Sequence, residues 1–508
     1  MRSVRSAATA WLLASVCLVQ FSRSQDSERK AANYMQSVRH QPELLLPFLQ
    51  QMPKGGDLHL HLSGAIYAES FIDWASEDAL CVDRSTSKLM RAACDSCEPY
   101  KNKPSVRCAY QDHVLYDQLV DAWSMRNWHR EAESGHDRFF ATFDKFEAAM
   151  VGHVGNALAE VASRAAEDHL QYVEVMHTAD GAGAAILGSK VGWDDDFVQL
   201  RDRLLAGGMV ELVASVRSAL DSDEARKKEL LHCGTAQARA GCEVTLHYLY
   251  QVLRGLEREQ VFAQILLGFE LAKADPRFEG FNLVMPEDYY VPMRDFDLHM
   301  KIIQALRKFY PATHVSLHAD ELWMGLVPPE GLRFHIRESI ERGGAERIGH
   351  GVAVMSEADP LGLLREMAKK NVLVEICLTS NDVILGVNGN RHPLPVYMKY
   401  GVPVALSTDD EGVSRSDMTH EYLRAVEDFN LSYGDLKRMA RASLEHSFIP
   451  GDSLWSEERA LRRVAACASD NPLTDRVAGK CQAWIAVNER ARVQWQLERA
   501  FADFERQF

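Results

Sequence analysis

The stretch GDLHLHL at residues 56–62 alternates leucines with two histidines, His59 and His61. A helical pattern over residues 25–52 ends at Met52-Pro53, and this strand candidate follows at once. Side chains two positions apart on a strand point to the same face, so both imidazoles face one way. Such a pair is a candidate ligand pair for a divalent ion, although paired histidines are also common as plain surface or core residues.

Seven further apolar runs follow along the chain, separated by helical patterns such as FDLHMKIIQALRKFY. They are YVEVMH (172–177), EVTLHYLY (243–250), GFNLVMPED (280–288), HVSLHADE (314–321), RIGHGVAV (347–354), VLVEICLTSN (372–381) and VPVALSTDD (402–410). Alternation of strands and helices indicates parallel pairing, and near-continuous apolar strands indicate a sheet buried on both faces. Because no G-x-G-x-x-G follows the first strand, a dinucleotide fold is disfavoured. The sequence predicts an α/β protein with a (β/α)8 TIM-type barrel.

Four of these runs end in residues that bind metals or transfer protons. A barrel of this type places its active site at the C-terminal ends of its strands, so these ends would meet in one pocket. The residues are His59 and His61, then His318 and Glu321, then His350, and finally Asp409 and Asp410. A catalytic zinc needs three or four nitrogen or oxygen ligands and one open position. The prediction is one zinc per chain.

The remaining groups suggest acid–base roles. Glu321 lies just beyond a strand end and could transfer protons without binding the metal, and His350, between two glycines, could orient an activated water. Taken alone, Glu321 could equally be a surface carboxylate and His350 a core histidine. A second metal would need a bridging lysine or glutamate at the end of the fourth strand. NLVMPED has no lysine there, and Glu287 lies beyond the expected strand end.

Composition limits the classes of partner. The chain has 508 residues, 46% of them hydrophobic and 25% charged, which is ordinary for a globular protein. Its net charge of −15 argues against nucleic-acid binding, which needs a basic surface. Nucleic acid is therefore not an expected partner.

The first 24 residues have the layout of a cleaved signal peptide. Arg2 and Arg5 precede the apolar run AATAWLLASVCLV, and small polar residues follow it up to Ser24. That run is too short to span a bilayer, and no other segment is long and apolar enough. Lipid attachment at Cys17 is the rival interpretation. We expect a secreted or periplasmic protein that is not an integral membrane protein.

The cysteines outside the signal peptide fall into local groups. Four lie within residues 81–108 (Cys81, Cys94, Cys97 and Cys108), and two further pairs are Cys233 with Cys242 and Cys467 with Cys481. We predict disulfides within these groups, because such bonds persist in oxidising compartments. Pairing among the first four stays open, and a structural zinc site on those four is the alternative. Cys377, inside an apolar run, is predicted to be an unpaired core residue.

The predicted organisation has four parts. Residues 1–24 form the signal peptide, 25–52 a helical extension, 53–450 the barrel and 451–508 a C-terminal helical extension. A cysteine-bearing insertion at about 81–130 follows the first strand, and residues 180–240 exceed an ordinary crossover. The insertion and the added helices are candidate surfaces for a homodimer, but the oligomeric state is not fixed by the sequence.

Four segments together resemble the signature segments of the adenosine deaminase family of barrel-fold, metal-dependent hydrolases. They are MPKGGDLHLHLSGA, SLHADE, RIGHGV and STDD, and the resemblance runs from about residue 50 to about residue 450. The signal peptide, the cysteine-bearing insertion and SGHDRFFATFDKF resemble the secreted, growth-factor-type branch and its bacterial relatives.

The resemblance implies zinc-dependent hydrolysis of adenosine to inosine and ammonia. It implies zinc on His59, His61, His318 and Asp409, with Asp409 also catalytic. Glu321 would protonate ring N1, His350 would position the nucleophile and Asp410 would bond to N7. The alternatives are a deaminase of adenine or of a modified adenosine, and a weak or inactive extracellular adenosine-binding protein.

Three positions depart from the family pattern. Asp320 replaces a glycine before the catalytic glutamate, Ser63 replaces an acidic residue that faces the ribose, and Met285 replaces a glycine whose backbone contacts the purine. Ser63 and Met285 are therefore the candidate substrate contacts whose chemistry differs from the family's, and they bear on substrate identity.

Overall fold

A computed structural model describes residues 26–98, 101–457, 460–468, 470, 477 and 479–508. The predicted signal peptide lies outside the described residues. Among the helices that the structure describes, none combines the length and the apolar content needed to span a bilayer.

Eight parallel strands in sequential order form the predicted barrel. We number them β1 (Gly55–His61), β2 (Leu170–His177), β3 (Thr245–Leu253), β4 (Phe278–Val284), β5 (His314–Ala319), β6 (Arg347–His350), β7 (Leu373–Ile376) and β8 (Val404–Leu406). Every residue of β1, β6, β7 and β8 is buried. This confirms the inference that near-continuous apolar runs form a sheet covered on both faces.

The barrel closes just beyond β8, where the chain pairs with β1. The backbone N–H of Asp409 donates to the carbonyl of His59 at 2.8 Å, and the N–H of His61 donates to the carbonyl of Asp409 at 3.2 Å. The seam between the first and last strands is therefore made by three predicted metal ligands.

Helices cover the outside of the barrel. The longer ones are Ala68–Glu77, Val154–Glu167, Gly183–Val191, Val210–Leu230, Arg258–Ala274, Tyr290–Leu306, Pro360–Lys370, Met418–Phe429 and Tyr433–Glu445. Shorter helices are Gly135–Phe140, Phe143–Phe146, Phe197–Leu204, His335–Glu338, Leu378–Leu385, Leu394–Tyr400 and Glu411–Ser414. Single helical turns lie at Glu147–Ala149, Leu205–Met209, Ala240–Glu243, Pro329–Leu332, Ser339–Gly343, Val354–Ser356 and Gly389–Arg391. The long segment between β2 and β3 thus consists largely of extra helices.

The cysteine-bearing insertion is held by two disulfides, Cys81–Cys94 and Cys97–Cys108. It contains a strand pair (Cys81–Asp83 with Lys88–Met90), a 3₁₀ turn (Val106–Tyr110) and the helix His113–Ala122. Its cysteines are therefore not thiolates, and the alternative of a structural zinc site here is wrong. Two further disulfides, Cys233–Cys242 and Cys467–Cys481, confirm the local grouping. Cys377 is free and buried, as predicted.

Both terminal extensions pack against the same outer helix, Tyr433–Glu445. The N-terminal extension is helical at 26–38 and at Pro42–Gln51. The C-terminal extension has helices Gly479–Val487 and Glu489–Glu505, and also a strand pair (Trp455–Glu457 with Arg462–Arg463) that the sequence did not predict. Lys437 forms an ion pair with Glu28 at 2.9 Å and a second one with Glu505, so one buried lysine joins both ends of the chain to the barrel.

Candidate active site

The four predicted ligands meet at the C-terminal mouth of the barrel. Nε2 of His318 lies 3.1 Å from Nε2 of His59 and 3.2 Å from Nε2 of His61. Oδ1 of Asp409 lies 3.6 and 3.3 Å from the same two atoms of His59 and His61. One donor atom from each of the four residues falls within 4.8 Å of the others, and all four are buried. Residues that span 350 positions of sequence therefore share one point in space.

The tautomers of the three histidines are set by hydrogen bonds to their Nδ1 atoms, on the side of each ring away from the cluster. Nδ1 of His59 contacts Glu375 at 2.7 Å, Nδ1 of His61 contacts the Gln251 oxygen at 2.8 Å, and Nδ1 of His318 contacts the Asn282 oxygen at 2.9 Å. Each Nδ1 faces an oxygen acceptor and so carries the proton, which leaves the Nε2 lone pairs converging on the common point. This is the arrangement of metal-binding histidines.

Glu375, Gln251 and Asn282 were not predicted from the sequence. Glu375 is fully buried on β7 and also accepts hydrogen bonds from Ser316 at 2.9 Å and Arg347 at 2.7 Å. Burial opposes its ionisation, but the charge of Arg347 and the contact with His59 lower the pKa of Glu375 to about 2. The only feature of the sequence that could have pointed to these three residues is that each is a polar residue inside an otherwise apolar strand.

Glu321 projects toward the cluster from the loop after β5. Its Oε1 lies 3.7 Å from Nε2 of His350. Burial, together with the charge of Asp409, raises the pKa of Glu321 well above its usual range. The backbone N–H groups of Asp320 and Glu321 donate to the Glu287 carboxylate at 3.2 and 2.7 Å. Glu287 therefore holds the loop that carries Glu321 and is not part of the ligand cluster.

His350 ends β6 with φ +66° and is fully buried. Its Nε2 lies 4.0 Å from Oδ2 of Asp409, and Oδ2 also accepts a hydrogen bond from Ser380 at 2.6 Å. A Cβ at the preceding Gly349 would lie 2.6 Å from the His59 ring, so only glycine allows this approach. Burial lowers the pKa of His350 to about 3 and keeps the ring neutral.

Asp410 is buried beside Asp409. Burial and the charges of Asp409 and Glu321 raise the pKa of Asp410 well above its usual range. Its Oδ1 has no hydrogen-bond partner among the described residues. A buried carboxyl whose raised pKa favours the protonated form, with one oxygen unused, is suited to a ligand.

The three residues that depart from the family pattern, Asp320, Met285 and Ser63, lie in different surroundings. Asp320 is fully buried and faces His335 at 3.6 Å, and its charge is not among the causes of the Glu321 pKa shift. Met285 follows β4 with φ +82°, a left-handed conformation that glycine adopts readily. Its carbonyl accepts a hydrogen bond from the buried Arg254 at 3.0 Å. Ser63 lies in the turn after β1 and is partly exposed.

The fold and the site define a parallel α/β barrel with a candidate one-metal centre at its C-terminal mouth. A profile described as adenosine deaminase matches residues 109–460, more than half of the chain, so the chain belongs to the adenosine deaminase family. The matched segment contains His318, Glu321, His350 and Asp409, whereas His59 and His61 lie before it.

Curated relatives are similar over shorter segments. An adenosine deaminase of Clostridium perfringens is 36% identical over 135 residues, which is 26% of this chain and 37% of that protein. One from Escherichia coli is 34% identical over 154 residues, 30% of this chain and 42% of that protein. The chain thus aligns with less than half the length of these relatives.

Solved structures share the fold. Adenine deaminase from Arthrobacter aurescens has a TM-score of 0.51 at 17% identity, covering 80% of this chain and 97% of that one. An N6-methyl-AMP deaminase from Arabidopsis thaliana has a TM-score of 0.51 at 19% identity, covering 82% and 97%. At these identities the likeness establishes the barrel fold.

Proposed function

We propose that the protein is a zinc-dependent aminohydrolase that converts adenosine and water to inosine and ammonia. Family membership supports a deaminase. The observation that carries the proposal is the placement of a buried Glu321, whose pKa is raised by burial and by the charge of Asp409, beside a cluster of three imidazoles and one carboxylate. The first group suits an ion that activates water, and the second suits protonation of a weakly basic ring nitrogen.

The donor set fits zinc. Two ligands each about 2.0–2.1 Å from a tetrahedral ion lie about 3.3 Å apart, and the four Nε2 and Oδ1 separations given above range from 3.1 to 3.6 Å. His59, His61, His318 and Asp409 would hold the ion. Zinc bound there would supply a water nucleophile at neutral pH by lowering the pKa of water.

Glu321 is the proposed general acid. Its raised pKa favours the protonated carboxyl, which can donate a proton to N1 of the purine. Protonation of N1 makes C6 electrophilic, and loss of the amino group from C6 as ammonia leaves the 6-oxo product.

Four further residues complete the proposed site. His350 positions the nucleophile by donating from Nε2, and Asp409 accepts a proton in addition to binding the ion. Asp410, held protonated, donates to N7, which is an acceptor. The Met285 backbone and the Ser63 hydroxyl are the proposed contacts to the purine and the sugar.

Glu321→Gln tests the acid role. Glutamine keeps the size of the side chain but cannot deliver the proton, so turnover should fall by about a hundredfold or more, while metal content stays unchanged. The loss of adenosine absorbance in the ultraviolet measures the rate. Glu330→Gln, at an exposed position on the following loop, is the matched control. A near-normal rate in Glu321→Gln would refute the role.

A substrate panel tests the chemistry itself. Adenosine, deoxyadenosine, adenine, AMP and N6-methyl-AMP should be offered to the metal-loaded protein, and adenosine should be turned over fastest. Faster turnover of adenine or a methylated substrate would move the assignment to that substrate. No turnover of any of them by a protein that binds metal and adenosine would favour an extracellular binding protein.

We also propose that the protein works outside the cytoplasm. Four disulfides are typical of an oxidising compartment, and the N-terminal sequence has the layout of a signal peptide. A homodimer through the insertion or the added helices is part of this proposal. Light scattering of the secreted protein measures its mass.

A further inference from the structure

A chain of hydrogen bonds lies behind His350, on the side away from the ligand cluster. The backbone N–H of Leu394 lies 3.1 Å from Nδ1 of His392, and Nε2 of His392 lies 3.0 Å from Oδ1 of Asn381. Nδ2 of Asn381 lies 2.9 Å from Nδ1 of His350. All three side chains are at most 3% exposed, so water does not compete for these positions.

The direction of every bond in this chain follows from one backbone group. The Leu394 N–H can only donate, so Nδ1 of His392 accepts and the neutral ring carries its proton on Nε2. That N–H donates to Oδ1 of Asn381, which fixes the amide with its NH₂ group toward His350. Burial lowers the pKa of His392 to about 3, so the ring stays neutral and keeps one donor and one acceptor.

The same logic fixes the tautomer of His350. Its Nδ1 accepts from the Asn381 amide, so the neutral ring carries its proton on Nε2. Nε2 has no hydrogen-bond partner within the part of the chain that the structure describes. It faces carboxyl oxygens of two residues, Glu321 at 3.7 Å and Asp409 at 4.0 Å. An N–H group on Nε2, facing these oxygens, agrees with the tautomer deduced from the Leu394 N–H at the other end of the hydrogen-bond chain.

We propose that His392 and Asn381 are positioning residues that lock His350 as the Nε2–H tautomer. The lock has two consequences. First, Nε2 of His350 can only donate a hydrogen bond into the pocket. The proposed function requires a donor there, so this consequence matters for catalysis only if that function is correct. His350 also has no lone pair to offer an ion, and this part is independent of catalysis.

The second consequence decides between two ligand sets. His59, His350, Cys377 and Asp409 also place donor atoms within 4.8 Å of one another. A His350 with a free Nε2 lone pair would make this set a competitor of His59, His61, His318 and Asp409. With the proton on Nε2 the competing set loses a ligand. The hydrogen-bond chain from Leu394 through His392 and Asn381 to His350, called the relay below, thereby selects one metal position.

A direct test reads the tautomer without catalysis. Protein labelled with ¹⁵N-histidine gives long-range ¹⁵N–¹H correlations whose pattern distinguishes Nε2–H from Nδ1–H, and the signal missing in His350→Ala assigns the residue. The metal-free wild type should show Nε2–H at His350. Asn381→Asp replaces the amide donor with an acceptor and should invert the tautomer. Nδ1–H in the wild type, or no change in Asn381→Asp, would overturn the proposal.

Kinetics and metal binding provide the second test. His392→Phe removes the donor that orients Asn381, and kcat should fall tenfold or more with little change in KM. His392→Gln can still donate to Asn381 and should recover most of the activity. Asn381→Asp should lower kcat by about ten-thousandfold, the order measured in a serine protease whose catalytic histidine is held in the wrong tautomer. With cobalt in place of zinc, Asn381→Asp should also change the visible spectrum, because His350 gains a free lone pair.

His299→Phe is the matched control, since His299 is equally buried and lies outside the relay. Equal losses in His392→Phe and His299→Phe, or no rescue by glutamine, would show that His392 is merely structural and would overturn the proposal. If the wild type deaminates none of the panel, the proposed function fails, and the tautomer spectrum still decides the relay.

Discussion

Glu375 connects the candidate metal centre to the interior of the barrel. One carboxylate oxygen contacts His59, and the other accepts from Ser316 and Arg347. Arg347 in turn reaches Glu174 on β2 at 3.1 Å. The orientation of one ligand is thus set by a buried charge network that crosses the barrel.

Glu375→Gln should weaken metal binding by about 10–100-fold, the usual cost of losing a carboxylate behind a ligating histidine. Competition with a chelator measures the affinity. Glu330→Gln should bind as the wild type does, and His61→Ala, which removes a ligand itself, should lose more than Glu375→Gln. Unchanged affinity in Glu375→Gln would show that the carboxylate does not support His59.

At this scale the sequence predicted the residues that face the pocket and missed those behind them. His318 and Asp409 were predictable because they end strands whose order places their ends together. Glu375 and Asn282 lie within the strands, where sequence alone does not tell a satisfied core polar group from a supporting one. The relay through His392 joins a strand end, a helix and a loop, and only the fold shows that His350, Asn381 and His392 are in contact.

Disulfides stabilise the segments that are added to the barrel. Cys233–Cys242 ties the turn after the helix Val210–Leu230 to the start of β3. In Cys233→Ser/Cys242→Ser, the free energy of unfolding should fall by about 3 kcal/mol, because the unfolded chain gains the entropy of an open loop. Urea denaturation measures this loss.

Urea denaturation of both proteins in the presence of a reductant provides the control. The stability lost on reduction should be smaller in the double variant than in the wild type, by about the amount lost through the substitution. Deaminase activity should be unchanged in the folded protein, since this disulfide is remote from the mouth. Equal stability of the two proteins without reductant would contradict the prediction.

Elements differ in how far their sequence predicts them. The eight strands were predictable because each is a buried apolar run bounded by polar ends. Ser134 caps the helix Gly135–Phe140, and its hydroxyl accepts a hydrogen bond from the N–H of Asp137 at 3.4 Å. The strand pair Trp455–Glu457 with Arg462–Arg463 was missed because its residues are largely polar and its strands are too short to show a periodic pattern.

Buried carboxyls make the stability of the whole molecule depend on pH. Burial raises the pKa of Glu421 to about 7 and that of Glu411 to about 8. Between the ordinary value and the raised value the folded state binds more protons than the unfolded state. Stability therefore falls as pH rises through this range.

Glu421→Gln isolates one of these groups, because glutamine resembles the protonated acid at every pH. The wild type should lose about 2 kcal/mol more than Glu421→Gln between pH 5 and pH 7.5, from a shift of about 2.5 pKa units. Urea denaturation at both pH values measures the difference. A parallel decline of the two proteins would show that Glu421 is ionised in the fold.

The seam between β1 and Asp409 has a consequence for biosynthesis. His59 and His61 leave the ribosome about 350 residues before Asp409, and the pairing that joins them is the last that the eight-stranded sheet can make. A growing polypeptide therefore lacks the complete coordination sphere until translation has passed the eighth strand. The four candidate ligands can therefore meet only after residue 409 has been made, and a product terminated before that residue lacks one of them.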